Sequence, residues 1–159
     1  MRALATATAT SVLVLLGALV ASPVQGGQDA AARAAQACEG LKPSIVGKKG
    51  DDRKLRGTGG DDVIQARGGD DFIDGRGGDD TICAGSGKDF VVGGGGSDLA
   101  NGDSGNDTLL GEGGNDKLFG KDGNDGLNGQ EGRDLCDGGP GSDFADRNAC
   151  ERKRSADGV

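Results

Sequence analysis

The 159-residue sequence contains no histidine, no tryptophan and no tyrosine, and its aromatic residues are limited to four phenylalanines. Proline occurs only three times, and apolar residues make up 33% of the chain. The absence of histidine removes the commonest general base and the commonest metal-binding side chain. Burial of so few large apolar side chains would not offset the chain entropy of a conventional globular fold. We therefore expect either a disordered chain or a repeat protein held together by something other than its core.

Glycine and aspartate are the abundant residues. Glycine accounts for 34 of the 159 residues, three times its usual share of ~7%. Collagen is excluded because the glycines do not recur every third residue and proline is rare. Residues 57–146 contain eighteen aspartates and two glutamates against six lysines or arginines, which gives this block a net charge of −14. Such a block repels nucleic acid and anionic lipid and attracts cations, so neither a nucleic acid nor a membrane surface is an expected partner.

The N-terminus has the features of a secretory signal peptide. Arg2 supplies a positive charge, residues 11–21 form an apolar run, and Pro23 follows it. We expect residues 1–26 to be removed by cleavage after Gly26, with cleavage after Ala21 as the alternative. A membrane anchor would need about 20 apolar residues, more than this run offers. The sequence therefore predicts a secreted, extracellular protein with no membrane association after cleavage, whose residues 27–49 form a flexible leader and N-terminal cap.

Four cysteines in an exported chain predict two disulfides. Three pairings are possible, and position along the chain favours Cys38–Cys83 and Cys136–Cys150, one bond near each end. A zinc site is the competing interpretation, but the sequence has neither histidine nor a C-x-x-C pair.

Aspartate recurs with a period of nine residues in ten uninterrupted copies. The recurring aspartates are Asp62, Asp71, Asp80, Asp89, Asp98, Asp107, Asp116, Asp125, Asp134 and Asp143. A glycine precedes each by two residues, and five residues before each stands a glycine or alanine: Gly57, Ala66, Gly75, Ala84, Gly93, Gly102, Gly111, Gly120, Gly129 and Gly138. A small or apolar residue follows each aspartate by two: Ile64, Ile73, Ile82, Val91, Ala100, Leu109, Leu118, Leu127, Cys136 and Ala145. The unit is G-x-x-G-x-D-x-U-x, with U small or apolar, and we number its positions 1 to 9.

This unit predicts a parallel β-roll. Positions 1 to 6 read as a turn, and positions 7 to 9 as a short strand whose position-8 side chain points to one side. Two units make one coil of eighteen residues, and coils stacked at ~4.8 Å form two small parallel sheets with position 8 facing inward. We expect an all-β β-solenoid of about five coils over residues 50–146. Residues 147–159 are expected to form a C-terminal cap and, from Glu151 onward, a disordered tail.

The sequence resembles the hemolysin-type (RTX-like) calcium-binding repeat family over 90 contiguous residues. The resemblance implies Ca²⁺ between stacked turns, held by aspartates of adjacent turns and by backbone carbonyls of the glycine-rich loops. Carried over to this chain, the ligands are the ten recurring aspartates and the carbonyls of Gly57, Gly75, Gly93, Gly102, Gly111, Gly120, Gly129 and Gly138. Five turns on each side leave up to eight sites. Asp52 heads a further degenerate copy if one residue, Arg53 or Lys54, is inserted.

Position 2 departs from the family pattern, and position 5 varies from copy to copy. Position 2 is glycine only at Gly85, Gly94 and Gly139. The other copies lose some backbone freedom there, unless the position is a tolerant turn corner. Position 5 is acidic in the first copies and asparagine in later ones, as at Asp79 and Asn124. We expect these position-5 acids to be solvated charges that tune affinity.

We therefore expect an exported, non-enzymatic, monomeric calcium-binding protein that folds when it binds several Ca²⁺ ions. The alternative is an adhesion or matrix protein in which Ca²⁺ only rigidifies a surface for a cell-surface partner. An enzyme is not expected, because no nucleophile–base pair is available without histidine and the cysteines are oxidised in this interpretation.

Overall fold

A computed structural model of the chain describes Cys38, residues 40–146 and residues 150–155. Every regular element in these ranges is a β-strand, and none of them is a helix. The strands are β1 (Ile45–Val46), β2 (Leu55–Arg56), β3 (Val63–Gln65), β4 (Phe72–Gly77), β5 (Thr81–Ser86), β6 (Phe90–Gly95), β7 (Leu99–Ser104), β8 (Thr108–Gly114), β9 (Lys117–Asp122), β10 (Gly126–Gly132), β11 (Leu135–Gly139), β12 (Phe144–Ala145) and β13 (Arg152–Ser155). The predicted signal peptide, the leader up to residue 37 and residues 156–159 lie outside the described ranges.

Successive strands alternate between two parallel sheets. The odd-numbered strands form a seven-stranded sheet in the order β1-β3-β5-β7-β9-β11-β13, and the even-numbered strands form a six-stranded sheet from β2 to β12. Residues eighteen apart are register partners, as Ile64 is of Ile82 and Ala100 of Leu118. Because the unit is nine residues long, each unit places its strand in the sheet opposite the previous one. The predicted β-roll is confirmed, with thirteen strands in about six coils rather than five.

The core is a double column of position-8 side chains. All ten predicted inward residues are 0–3% exposed, from Ile64 to Ala145. Ile45, Leu55 and Cys150 pack against this column at its two ends. Ala66 and Ala84, at position 1, are the further core members, so the core is thin, with little more than one side chain from each unit. Most of the interactions that hold the roll together run between coils.

Both ends of the roll extend further than the repeats. β1 lies before the first repeat, within the expected N-terminal cap, and it pairs with β3. At the other end the sequence predicted disorder from Glu151, but β13 pairs with β11. The reason is that Cys150 lies at disulfide distance of Cys136, with Cα atoms 5.6 Å apart, and so brings the chain beside β11.

The other predicted pair lies on the outside of the roll. Cys38 is at disulfide distance of Cys83, with Cα atoms 6.2 Å apart. Cys83 occupies position 9 of its unit, next to the inward-facing Ile82, so its side chain leaves the outer face of the seven-stranded sheet. This pair attaches the N-terminal segment to that face, whereas the pair at Cys136 closes the end of the core.

All phenylalanines stand on outer faces of the roll. Phe72 and Phe90 are register partners on the six-stranded sheet, and their rings stack at 5.5 Å with an angle of 5°. Phe144 lies on the same face and is 70% exposed. Phe119 stands on the outer face of the seven-stranded sheet, where it is 2% exposed. Among the described residues no helix is long and apolar enough to span a bilayer.

Candidate metal centre

The recurring aspartates join each turn to the one stacked beside it. The Oδ1 atom of Asp98 accepts the backbone N–H of Asp80 at 2.8 Å, eighteen residues earlier. The same bond recurs along both sides of the roll at 2.6–3.0 Å and gives nine stacked pairs of aspartates among the described residues. One carboxylate oxygen of each pair is therefore used to hold neighbouring coils in register.

The second carboxylate oxygen of each pair has no such role. Nine Oδ2 atoms are buried without a hydrogen-bond partner, one for each stacked pair, and they belong to Asp71, Asp80, Asp89, Asp98, Asp107, Asp116, Asp125, Asp134 and Asp143. Seven of these side chains are 2% exposed or less in the interior of the roll, among them Asp98 and Asp116. A buried carboxylate oxygen without a partner is unfavourable and is rare in folded proteins. These nine oxygens therefore mark places where a ligand is expected.

Several of the same carboxylates have a pKa above the usual value for aspartate. Burial raises the pKa of Asp80, Asp89, Asp98 and Asp116 to about 6 and that of Asp107 to about 7. Hydrogen bonds from backbone N–H groups oppose this effect, and neighbouring aspartates add to it by repulsion. A raised pKa means that the protein disfavours the charged form at these positions. A cation held at Oδ2 would remove that penalty.

Backbone carbonyls approach the unpartnered oxygens. A Cβ atom built on Gly93 would lie 2.5 Å from Oδ2 of Asp98 and 2.9 Å from the carbonyl oxygen of Gly111, in the adjacent coil. The same arrangement surrounds Gly102, with the carbonyl of Gly120 at 2.8 Å. Position 1 must therefore lack a side chain at these turns, because its Cα, a carboxylate oxygen and a carbonyl oxygen share one small space.

Six of the eight predicted carbonyls meet a turn of the preceding coil in this way, and they belong to Gly75, Gly93, Gly111, Gly120, Gly129 and Gly138. Gly57 follows the edge strand β2, so no coil precedes it on its side. Gly102 lies beside an alanine, Ala84, through the pairing of β5 with β7.

The donor set consists of hard oxygens only. Within residues 40–146 and the short described segments around them, no group of three or more acidic or cysteine side chains converges on one point. Carbonyl oxygens would thus have to supply several ligands beside each carboxylate. Ca²⁺ accepts six to eight oxygen ligands, including backbone carbonyls, in flexible geometry. The carboxylate–carbonyl spaces fit this ion.

A family model for the RTX calcium-binding nonapeptide repeat, four copies long, matches residues 56–91, 92–127 and 111–145. The chain belongs to this family. No significant match was found among curated proteins or among solved structures. The match covers the ten repeats that carry the stacked aspartates, and RTX repeats bind Ca²⁺.

Position 2 of the RTX unit has a left-handed backbone in nine of its ten copies. It has positive φ in six copies without glycine, at Arg67, Arg76, Asp103, Glu112, Lys121 and Gln130, and in the glycine copies Gly85, Gly94 and Gly139. It is therefore not a tolerant corner, and each non-glycine residue there costs roughly 1–2 kcal/mol. The glycine at position 2 of the family pattern was the sequence feature that indicated this left-handed backbone, and this chain keeps it in only three copies.

The first turn on each side differs from the other RTX turns. Oδ2 of Asp62 accepts the backbone N–H of Thr58 at 2.7 Å and its hydroxyl at 2.9 Å. Oδ2 of Asp52 likewise accepts the N–H of Lys48 at 2.6 Å. The hydrogen bonds from Thr58 lower the pKa of Asp62, whereas burial raises the pKa of Asp80. Asp52 does occupy a turn equivalent to a repeat, and its partner Asp71 is nineteen residues away, in agreement with one inserted residue.

Position 5 forms a second ladder that the sequence did not predict. Oδ1 of Asp79 accepts the N–H of Ser97 at 2.7 Å, and Oδ1 of Asn124 accepts that of Ser142 at 2.8 Å. Here the acceptor belongs to the earlier coil, whereas at position 6 it belongs to the later one. The position-5 residues are exposed and hold coils in register, so they are not simply solvated charges.

Proposed function

We propose that the chain is an exported, non-enzymatic protein that folds by binding Ca²⁺ between its stacked RTX turns. The observation that carries the proposal is the set of nine buried, unpartnered Oδ2 atoms, six of which lie beside a position-1 glycine. In this proposal the recurring aspartates from Asp71 to Asp143 bind through Oδ2, together with position-1 carbonyls such as that of Gly111. A bound Ca²⁺ would supply positive charge and link the oxygens of two coils.

Coupling between binding and folding follows from the charge and the thin core. The repeat block carries a net charge of −14. Without an ion, nine buried carboxylates either stay charged at a desolvation cost or take up protons. The core offers little more than one side chain from each unit to oppose that cost. We infer that the roll is unstable without Ca²⁺ near neutral pH, so that binding free energy contributes directly to folding.

Eight ions is the upper number expected from ten regular turns. The structure favours a ligand role for nine aspartates and weakens that of Asp62 and Asp52, whose Oδ2 atoms already accept protein donors. Mg²⁺ should be a poor substitute, since it demands near-ideal octahedral geometry and retains its waters.

Export is part of the proposal and is supported by two observations. The N-terminal 26 residues have signal-peptide features, and all four cysteines lie in pairs at disulfide distance. Disulfides persist in oxidising compartments. The extracellular medium also supplies Ca²⁺ at concentrations suited to extracellular modules, which bind with Kd of about 10⁻⁴–10⁻³ M.

The test combines circular dichroism with native mass spectrometry on chain freed of metal over a chelating resin. Addition of Ca²⁺ should produce the strand signal and a mass increase of several ions, and an equal concentration of Mg²⁺ should not. A strand signal that is unchanged by metal removal, with no ion bound after Ca²⁺ is restored, would refute the proposal.

A second candidate function is adhesion through a surface that Ca²⁺ rigidifies. Three exposed phenylalanines on the six-stranded sheet, Phe72, Phe90 and Phe144, favour contact with a partner there. The stacked rings of Phe72 and Phe90 each cover one face of the other, which argues against sugar stacking on this pair. Binding to whole cells, compared with and without Ca²⁺ and with Phe90→Ser, would distinguish adhesion from simple ion binding.

A further inference from the structure

The outer face of the six-stranded sheet carries two rows of side chains, one at position 7 and one at position 9 of each unit. We name this surface the phenylalanine face. Its position-7 row consists, from β2 to β12, of Lys54, Phe72, Phe90, Thr108, Gly126 and Phe144. The three phenylalanines are 37%, 38% and 70% exposed. Exposed apolar side chains gathered on one face mark interaction sites.

The phenylalanine face carries no net charge, although the repeat block as a whole has a net charge of −14. Its position-9 row consists, in the same order, of Arg56, Asp74, Val92, Leu110, Asn128 and Asp146. The two cations, Lys54 and Arg56, lie at the β2 end of the face, and Asp146 lies at the β12 end. Their charges cancel those of the two carboxylates. Two acidic copies of the roll can therefore approach each other at this face without net repulsion between the facing surfaces.

Gly126 is not required by the backbone of the roll. It is the only glycine at positions 7 to 9 of the ten repeats. A Cβ atom built there would lie 3.9 Å from the carbonyl oxygen of Asp107, an ordinary contact, and its φ is not in the left-handed region. A glycine inside a strand weakens the strand and often marks the close approach of another backbone or a ligand. Gly126 thus leaves an open place in the face between Thr108 and Phe144.

We propose that the phenylalanine face binds the same face of a second copy of the chain, in a dimer whose two-fold axis runs parallel to the strands. Such an axis keeps the direction of the strands and reverses their order. Strand β2 of one copy then lies on β12 of the other, β4 on β10 and β6 on β8. Position 7 faces position 7, position 9 faces position 9, and symmetry forms each facing pair twice.

The reversed order brings large and small side chains together at position 7. Phe72 lies opposite Gly126 of the second copy, and Phe90 lies opposite Thr108 of the second copy. The stacked pair of rings therefore meets the two smallest residues of the row. Facing positions that alternate large and small residues allow two layers to interdigitate.

The same order brings opposite charges together at position 9. Arg56 lies opposite Asp146 of the second copy, and Val92 lies opposite Leu110. Within its own copy the guanidinium of Arg56 is 3.3 Å from the carboxylate of Asp74, and its side chain remains 43% exposed. A guanidinium has five N–H donors and can therefore bind both carboxylates.

The alternative two-fold axis, parallel to the axis of the roll, is unfavourable. It would keep the order of the strands and reverse their direction, so that position 7 faces position 9 of the same unit. Phe72 would then place its electron-rich ring face against Asp74, and Lys54 would face the cation Arg56. The charges on the phenylalanine face therefore favour the axis that reverses the order.

The size of the face predicts a weak dimer. Six strands span about 24 Å. The twelve outward positions of each copy are fewer than the roughly 20–30 residues that each partner contributes to a standard interface. We expect a Kd between ~1 μM and ~1 mM, in place of the monomer that the sequence predicted. The dimer needs the folded roll, and to this extent it rests on the proposed binding of Ca²⁺.

Sedimentation equilibrium of the Ca²⁺-loaded chain over a range of concentrations tests the proposal. Gly126→Leu should weaken association at least ~10-fold, because leucine fills the place that Phe72 of the second copy takes. The same variant should unfold at an equal or higher temperature, since a glycine leaves the strand. Thr81→Leu, which makes a similar addition at position 7 of the other sheet, should leave association unchanged.

A charge exchange tests the order of the strands. Arg56→Asp and Asp146→Arg each bring like charges together at both symmetric contacts, so each variant alone should associate at least ~10-fold more weakly. In an equimolar mixture of the two variants, one of them labelled with ¹⁵N, both contacts again join a guanidinium to a carboxylate. Native mass spectrometry should therefore show dimers of mixed composition.

The strand signal and the bound Ca²⁺ count are measured for every sample. A chain that binds Ca²⁺ but stays monomeric up to ~1 mM would overturn the proposal and leave the face to a different partner. A dimer that is unaffected by Gly126→Leu, or a mixture that associates no better than the separate variants, would also overturn it. The ion count distinguishes these results from a failure of the proposed function, in which no Ca²⁺ would be bound.

Discussion

Asp98 holds Asp80 with one carboxylate oxygen and leaves the other without a partner. Its Oδ1 accepts the Asp80 N–H at 2.8 Å, and its Oδ2 is buried. The two oxygens of one side chain therefore have different tasks: one sets the register of the coils, and the other requires a ligand. This division makes the two tasks separable by substitution.

Asp98→Asn should have opposite effects with and without calcium. The amide oxygen can still accept the Asp80 N–H, while the buried charge is removed. In metal-free buffer we expect the roll to become more stable, because a desolvated carboxylate is lost. With Ca²⁺ present, affinity at this turn should fall at least ~10-fold, the effect of a lost partner at a metal site. Thermal unfolding followed by circular dichroism and the ion count by native mass spectrometry measure both effects.

Asp62→Asn is the matched control. Its carboxylate accepts two donors from Thr58 and one from Ser44. The oxygen of an amide there can still accept both Thr58 donors, and its NH2 group can donate to the Ser44 hydroxyl, which can itself donate to the Val63 carbonyl. Only the charge of the acceptor is lost, so stability should fall by about 1 kcal/mol with or without Ca²⁺. The ion count should stay unchanged. A loss of one ion in this variant, or an unaltered count in Asp98→Asn, would contradict the assignment of Oδ2 as the ligand.

The pH dependence of stability should reverse when Ca²⁺ is removed. Burial raises the pKa of Asp98 to about 6 and that of Asp107 to about 7. The metal-free roll then binds more protons than the unfolded chain between about pH 4 and 7, so its stability decreases as the pH rises through this window. Calcium needs the deprotonated carboxylates, so its affinity decreases as the pH falls through the same window.

Thermal midpoints from pH 4.5 to 8, in resin-treated buffer and in excess Ca²⁺, measure this dependence. A metal-free midpoint that rises with pH across the window would be inconsistent with neutral, buried aspartates.

Glycine at position 2 should stabilise the roll. Gln130 is exposed and has a φ of 67°, so Gln130→Gly relieves a left-handed backbone without removing a buried contact. The expected gain is roughly 1 kcal/mol, measured by urea unfolding in Ca²⁺. Thr58 occupies the same position without positive φ and donates to Asp62. Thr58→Gly should therefore destabilise the roll, and a gain in that variant would show that backbone strain is not the cause.

The charge at position 5 should matter only without calcium. Asp79 lies beside Asp80 and Asp98 and raises the pKa of both by repulsion. Asp79→Asn keeps the acceptor for the Ser97 N–H and removes the charge, so the metal-free midpoint should rise by the equivalent of about 0.5 kcal/mol. Asn124→Asp makes the reverse change in the same slot and should lower it. Both differences should shrink in 1 M salt, where the Debye length is ~3 Å. Salt-independent differences would point to packing instead.

The nine-residue period was sufficient to predict the roll, its register and its core. Ile64 pairs with Ile82 because two units make one coil, and that follows from unit length alone. The turn positions of Asp98 and Gly93 follow in the same way. The pairing of Cys38 with Cys83 agrees with position along the chain.

Other features depend on the direction in which a side chain reaches between coils, which a period does not contain. The carboxylate of Asp98 reaches back to the earlier coil, whereas the amide of Asn124 reaches forward. The different hydrogen bonding of the Asp62 carboxylate could have been predicted from Thr58, the only hydroxyl residue at position 2. No feature of the sequence predicted the strand β13, because its pairing depends on where Cys150 holds the chain.

The register of the ladders has a consequence for how such a chain can change in length. Every side-chain ladder bond among the regular turns joins residues eighteen apart, as in the bond between Asp98 and Asp116. A tandem duplication of eighteen residues would insert one whole coil and leave every other contact as it is. A gain or loss of one residue within the stack would instead need a local irregularity. The described residues show such irregularities near the two ends of the roll, between Asp52 and Asp71 and where β11 pairs with β13. Genetic change in whole coils would thus vary the ion capacity of the protein while its two disulfide-bonded ends stay the same.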